Sequence, residues 1–271
     1  MRGFIPYCGV APDPATLHWN TDPVLISCLV FIAVLYCAGM LRGKEIPRRE
    51  RISFALGFGI LAIALISPLC NLSVALFSAR IAQHIVLTLV AAPLIVLGSP
   101  LRALAVFWPR SAVRTLNLSP GQDLLLSSVL FAICIWIWHA PGPYNATLQS
   151  NAVYWLMHLS TFGAALLLWT GLIRYGATNP GPVLAGGFAT AMQMSVLGAV
   201  LTFATRPLFI VHVGTTEVWQ LSQLEDQQLG GLIMWVPGGL LLMAYALFAV
   251  WQLLRTSPSL RPLPSQTGVL A

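Results

Sequence analysis

Residues 124–173 read LLLSSVLFAICIWIWHAPGPYNATLQSNAVYWLMHLSTFGAALLLWTGLI, a stretch without a single charged side chain. A helix needs about 20 apolar residues to cross the hydrocarbon of a bilayer, so this stretch is too long for one crossing. The segment HAPGPYNATLQSN (139–151) interrupts it with proline and glycine, which favour a turn. The stretch therefore predicts two membrane-spanning helices that meet at one face of a membrane.

The composition of the whole chain agrees with a membrane protein. Of the 271 residues, 57% are hydrophobic and 8% are charged, whereas soluble domains carry about 25% charged residues. We expect an all-α fold with one membrane domain over residues 1–255 and a disordered, cytoplasmic, Pro/Ser-rich tail over 256–271. The predicted spans are seven: 23–41, 52–69, 80–98, 122–139, 153–173, 183–204 and 228–254.

The basic residues predict how the chain is oriented. The first predicted inner loop contains five of them, and eleven of the 14 fall on that side. An excess of Lys and Arg marks the cytoplasmic side. We therefore expect the N-terminus outside and the C-terminus in the cytoplasm. The same loop charge accounts for the net charge of +6, which in this setting does not predict nucleic-acid binding.

With this orientation all five histidines fall toward the outer side of the membrane. His84, His139 and His158 lie at or just inside the outer ends of spans three, four and five. An ionisable group in a span is a functional candidate, and imidazole binds copper, zinc and iron. We expect these three side chains to share one metal site, although His139 could equally belong to an aromatic belt beside Trp138.

Other residues on the outer side of the membrane have several possible roles. Asp226, at the start of the last span, could be a metal ligand, a proton acceptor or a partner that orients an imidazole. For His18 and His212 we expect a hydrogen bond to a backbone carbonyl. Cys8 and Cys70 could form a disulfide, act as a metal relay, or do neither. Arg80 lies one turn from His84, and we expect its side chain to extend toward the outer headgroups.

Four blocks of sequence carry a family resemblance. They are residues 67–104, WHAPGPYNATL (138–148) with YWLMHLSTF (154–162), RPLF (206–209), and DQQLGGLIMWVPGG (226–239). With these motifs the chain resembles CtaG-type cytochrome oxidase assembly proteins, which are seven-span proteins of the bacterial inner membrane. The resemblance implies a non-enzymatic factor that helps a haem–copper oxidase mature by handling or inserting Cu(I).

The same resemblance implies partners and two local departures. The partners would be an oxidase subunit, membrane lipid and a periplasmic copper donor, and His84, His139 and His158 lie in the matching motifs. Many members have a second histidine where this chain has Arg80, and an acidic residue where it has Met157. Both departures remove hard or imidazole ligands. They leave open a softer Cu(I) site, or a protein that has kept the fold and changed its metal handling.

Two other functions fit some of the same residues. A zinc-dependent intramembrane hydrolase would use His84, His139 and His158 as ligands and Asp226 as the base. A haem protein could use His84 and His158 as two axial ligands. A retinal Schiff base needs a lysine within a span, and the single lysine, Lys44, is in the first inner loop.

Overall fold

The protein is a bundle of long helices with short helices at its ends. A computed structural model describes residues 4–43, 45–107, 118–176 and 178–256, and within these ranges it contains no strand. The helices are α1 (Pro23–Arg42), α2 (Arg48–Ile66), α3 (Pro68–Ala75), α4 (Phe77–Ile85), α5 (Ala92–Leu97), α6 (Pro100–Leu104), α7 (Pro120–His139), α8 (Pro141–Thr147), α9 (Asn151–Tyr175), α10 (Pro180–Thr202) and α11 (Gln223–Thr256).

The predicted number of spans agrees with the described helices. Six segments are long and apolar enough to cross a membrane, and α2 with α3 makes a seventh if that bent pair counts as one span. The 48° bend falls at Ser67, because the residue before a proline is disfavoured in the helical conformation. The all-helical multi-pass fold is therefore confirmed. The predicted tail beyond Thr256 lies outside the described residues.

Local sequence explains where several helices begin. Proline occupies the first turn of α1, α3, α7, α8 and α10, where its missing N–H costs nothing. Asp22 accepts from the amide of Val24 at the start of α1. Ser119 and Gln122 cap α7 reciprocally, and each such cap contributes about 1 kcal/mol. The hairpin predicted from residues 139–151 is present, with the short helix α8 between α7 and α9.

The span Phe77–Leu97 lies at the centre of the bundle and is the most buried of the candidate spans. It consists of α4, a π-helical turn over Val86–Ala91, and α5. Wide turns of this kind are rare and occur frequently at functional sites. Helix α4 packs against α11, α7 packs against α9 and α10, and α10 packs along α11. This arrangement surrounds the span that carries the buried side chains of Arg80, Gln83 and His84.

Candidate functional site

Three imidazole rings meet at one level of the bundle. His84 comes from α4, His139 from the end of α7, and His158 from α9, and all three are buried. The ring centroid of His84 lies 5.4 Å from that of His158 and 6.2 Å from that of His139. The structure thus brings together the three histidines that the sequence singled out. Because His139 is buried, its alternative assignment to an aromatic belt is wrong.

Backbone carbonyls hold two of these rings in a defined orientation. His139 Nδ1 lies 2.7 Å from the carbonyl oxygen of Ile135, and His158 Nδ1 lies 3.1 Å from that of Tyr154. A carbonyl only accepts, so each Nδ1 carries the proton and each Nε2 keeps its lone pair. This is the arrangement that orients metal-binding histidines in proteins.

The remaining ring nitrogens are buried without a hydrogen-bond partner. These are Nε2 of His139, Nε2 of His158, and both nitrogens of His84. Buried polar groups in folded proteins are nearly always paired, so four unpaired nitrogens at one level are unusual. They form a set of donor atoms that this part of the structure leaves unused.

The spacing of the ring centroids is compatible with a shared ion, but the rings would first have to turn. Two imidazoles on one ion, with bonds of about 2.1 Å, place their ring centroids about 5–6.5 Å apart, depending on the angle between the bonds. Both measured distances from His84 fall in that range. Within the ranges described above, however, no three His, Cys, Asp or Glu side chains already lie close enough to hold an ion. The rings would have to turn toward one another to bind it.

The position predicted for the side chain of Arg80 is wrong. Its side chain is fully buried rather than extended toward headgroups. It donates to Thr147 Oγ1 at 2.5 Å and to the carbonyl of Ser73 at 3.3 Å. Its guanidinium carbon lies 5.4 Å from the ring centroid of Tyr144 and 5.9 Å from that of Tyr154. These two aromatic faces stabilise the positive charge of Arg80, which explains why the side chain is buried in the bundle.

The charge of Arg80 has no acidic partner in the described parts of the chain, where the single ion pair joins Arg102 and Glu50. Arg80 also lies one helical turn before His84 on α4. A fixed positive charge so near the imidazoles repels a dication twice as strongly as a monocation. The surroundings of the histidines therefore favour a singly charged ion.

Asp226 belongs to α11, and its carboxylate lies at the N-terminal end of α4. Its carboxylate accepts from the backbone amides of Phe77 at 2.6 Å and Ser78 at 3.1 Å, and from the hydroxyl of Ser78. These amides belong to the first turn of the helix, which has no partners of its own. His84 lies six residues beyond Ser78, about 9 Å along the axis. The structure thus uses Asp226 to fix the helix that carries His84.

The rest of the DQQLGG motif holds the segment between α10 and α11 and packs against α4. Gln227 Oε1 accepts from the amide of Leu208 at 2.7 Å, and Gln228 Nε2 donates to the carbonyl of Ala204 at 3.1 Å. A side chain at Gly230 would collide with the ring of Phe77. The glycine is required because α11 and α4 approach so closely there. Within the motif, Asp226 and Gly230 therefore contact α4, and the two glutamines hold the loop that precedes α11.

His212 belongs to a neighbouring network. Its Nδ1 lies 3.2 Å from the carbonyl of Ala75, and its Nε2 accepts from the hydroxyl of Tyr144 at 2.8 Å. Burial, with a smaller contribution from the charge of Arg80, lowers the pKa of His212 to about 3. His18 Nδ1 lies 3.2 Å from the carbonyl of Thr16. Backbone bonding was expected for both histidines and is confirmed.

Cys8 and Cys70 form a disulfide that ties the N-terminal segment to α3. The segment, residues 4–20, is called the strap below. Its Tyr7 stacks on Tyr154, with ring centroids 4.9 Å apart. Asn71 Nδ2 donates to the carbonyls of Cys8 and Val10. The strap therefore covers the end of the bundle at which the histidines lie.

An apolar crevice of about 400 Å³ runs between α1, α2 and α9 and reaches His158. Leu25, Leu65 and Trp155 are among its walls. The crevice connects the surface of the bundle with one side of the histidine cluster. Nothing in the sequence indicated it, because it depends on how three separate helices pack.

Comparison with known proteins identifies the family of the chain. The model of the family described as cytochrome c oxidase caa3 assembly factor matches residues 34–256. Searches of curated proteins and of solved structures return nothing that matches. The family match covers the three histidines, Arg80 and Asp226.

Proposed function

Because this chain belongs to the cytochrome c oxidase caa3 assembly factor family, we propose that it carries Cu(I) to the oxidase at the outer side of the bacterial inner membrane. The ion is the cargo of the protein. It would bind to His84, His139 and His158 and then pass to an oxidase subunit during maturation. The observation that carries this proposal is the set of four unpaired, buried imidazole nitrogens at one level of the bundle.

The chemistry of these donors supports copper as the cargo. Cu(I) accepts two or three imidazole ligands and carries one positive charge, so it meets less repulsion from Arg80 than Zn²⁺ would. Because neutral imidazoles bring no negative charge, only a weakly charged ion can be held beside a buried guanidinium. Weak retention suits a protein that must release its cargo.

The zinc hydrolase is disfavoured by the position of its expected base. Both carboxylate oxygens of Asp226 accept hydrogen bonds from Phe77 and Ser78. A base has to reach a metal-bound water within hydrogen-bond distance. In our proposal Asp226 is a positioning residue, since it fixes the helix on which His84 is placed.

Replacement of the histidines tests the proposal. We expect His84→Gln together with His158→Gln to weaken Cu(I) binding by at least tenfold, equivalent to about 1.4 kcal/mol. The same variant should lower the copper content of the oxidase in cells, while the protein remains in the membrane. His18→Gln is the matched control, because His18 is exposed and hydrogen-bonds a carbonyl of its own loop.

Two results would contradict the proposal. One is a double variant that binds Cu(I) as tightly as the unchanged protein and matures the oxidase normally. The other is purified protein that retains zinc and turns over a substrate in a histidine-dependent way, which would favour the hydrolase.

A further inference from the structure

We propose that Cys8 and Cys70, when reduced, form a second Cu(I) site that receives the ion before the histidines do. The direction of transfer rests on the proposed function, whereas the cysteine site itself rests on its own geometry. Cu(I) would bind first to the two cysteines and then to the three imidazoles.

The two cysteines are held at a distance that suits a shared ion. Their Cα atoms lie 5.5 Å apart although 62 positions separate them in the sequence. Two thiolates on one metal ion, with bonds of about 2.3 Å, place their sulfur atoms about 4–4.6 Å apart. Rotation of two side chains after reduction reaches this separation without movement of the backbone. Thiolates are also the ligands that Cu(I) prefers.

A single side chain separates the cysteines from the histidine cluster. The hydroxyl of Tyr154 lies 3.3 Å from Cys8 Sγ and 3.6 Å from Cys70 Sγ. The ring of Tyr154 lies 4.2 Å from the ring of His158, centroid to centroid. The ring of His84 is the next along, 5.4 Å beyond His158. The cysteines, Tyr154 and the histidines therefore follow one another from the strap into the bundle.

The disulfide would open and close by thiol–disulfide exchange with other proteins. A dithiol protein at the outer face gives two electrons and two protons to the disulfide, and its own thiols become a disulfide. Cu(I) then displaces both thiol protons and remains monovalent. When an oxidised exchange protein takes the two electrons back, the Cys8–Cys70 bond re-forms and no longer binds the ion. Cu(I) is then left to the imidazoles without any change in its own oxidation state.

The strap has room to move when the bond is open. The disulfide is almost completely buried, with Cys8 3% exposed and Cys70 fully covered. Beside it a gap of about 380 Å³ separates the strap residues Phe4, Ile5 and Val10 from Leu148 and Val211. The disulfide is the covalent cross-link between the strap and α3, so its reduction allows the strap to lift and a donor protein to reach the thiols.

Counting bound copper tests this site directly. The full-length protein is titrated with Cu(I) against a chromophoric chelator, once oxidised and once after reduction with a phosphine that is then removed. We expect one ion per oxidised chain and two per reduced chain. Cys8→Ser with Cys70→Ser should bind one ion in both states. Cys28→Ser with Cys37→Ser is the matched control, because both are exposed on α1 and should still allow two.

The histidine variant separates this proposal from the previous one. His84→Gln with His158→Gln should bind no ion when oxidised and one when reduced. If the reduced unchanged protein binds no more Cu(I) than the oxidised protein, the cysteine site does not exist, whatever the histidines do. This comparison needs no variant, so it decides the question even if the serine variants do not fold. Copper X-ray absorption of the reduced, doubly loaded protein must also show sulfur neighbours.

Discussion

Replacement of Asp226 by Asn tests whether this carboxylate holds α4 in place. The change keeps the shape of the side chain and removes its charge and one acceptor. Asp226 accepts from two backbone amides and one hydroxyl, but an Asn side chain turns its NH₂ group toward one of these donors. A buried donor left unpaired costs about 1–3 kcal/mol. The lost charge at a helix N-terminus adds about 0.3–1 kcal/mol.

The expected destabilisation is therefore about 1–4 kcal/mol, compared with the roughly 5–15 kcal/mol that stabilises a typical protein. We expect the midpoint of thermal unfolding in detergent to fall by roughly 3–15 °C. The control is Glu217→Gln, the same chemical change at an exposed carboxylate, which should alter stability by less than about 0.5 kcal/mol. Copper binding should weaken only to the extent that α4, which carries His84, is displaced.

Two outcomes would refute this reasoning. An Asp226→Asn protein as stable as Glu217→Gln would show that the cap does not hold α4. A protein that keeps its stability but loses Cu(I) binding would show that Asp226 is a ligand, contrary to its assigned role.

Three further predictions concern packing, pH and orientation. Gly230→Ala should destabilise the protein by about 1–3 kcal/mol through collision with Phe77, whereas Gly163→Ala, with open space at that position, should be neutral or stabilising in a thermal shift assay. In the folded protein the pKa of His212 is about 3, below the usual 6.5. The neutral imidazole therefore contributes fully to stability above pH 6.5. Between pH 6.5 and pH 3 this contribution falls by up to about 1.4 kcal/mol per pH unit. His212→Gln should flatten that part of the pH–stability profile, and an unchanged profile would contradict the assignment. A reporter fused after Ala271 should be active in the cytoplasm, and activity outside would reverse the orientation inferred from the basic residues.

The sequence predicted the spans well because the signal is local. A run of apolar residues of the right length identifies a membrane helix without any knowledge of its neighbours. The predicted span 153–173 became Asn151–Tyr175, and 122–139 became Pro120–His139. The level of the histidines followed from the same runs, since a position along a helix gives its depth at 1.5 Å per residue.

The side-chain environments were harder to predict because they depend on other helices. Arg80 was expected at the headgroups, but the rings of Tyr144 and Tyr154 hold its charge inside. Asp226 lies 149 positions from the amide of Phe77 to which it bonds, and no local pattern shows such a cap. The disulfide was one of three possibilities because Cys pairing cannot be deduced from spacing alone.

Copper X-ray absorption of the oxidised protein, loaded with one Cu(I), tests the central claim most directly. With the disulfide closed, the ion should have two or three nitrogen neighbours at about 2 Å, with the scattering pattern of imidazole rings and no sulfur. Replacement of His158 by Gln should remove one of these neighbours. A spectrum dominated by sulfur, or a protein that holds no copper in this state, would contradict a histidine site in the bundle.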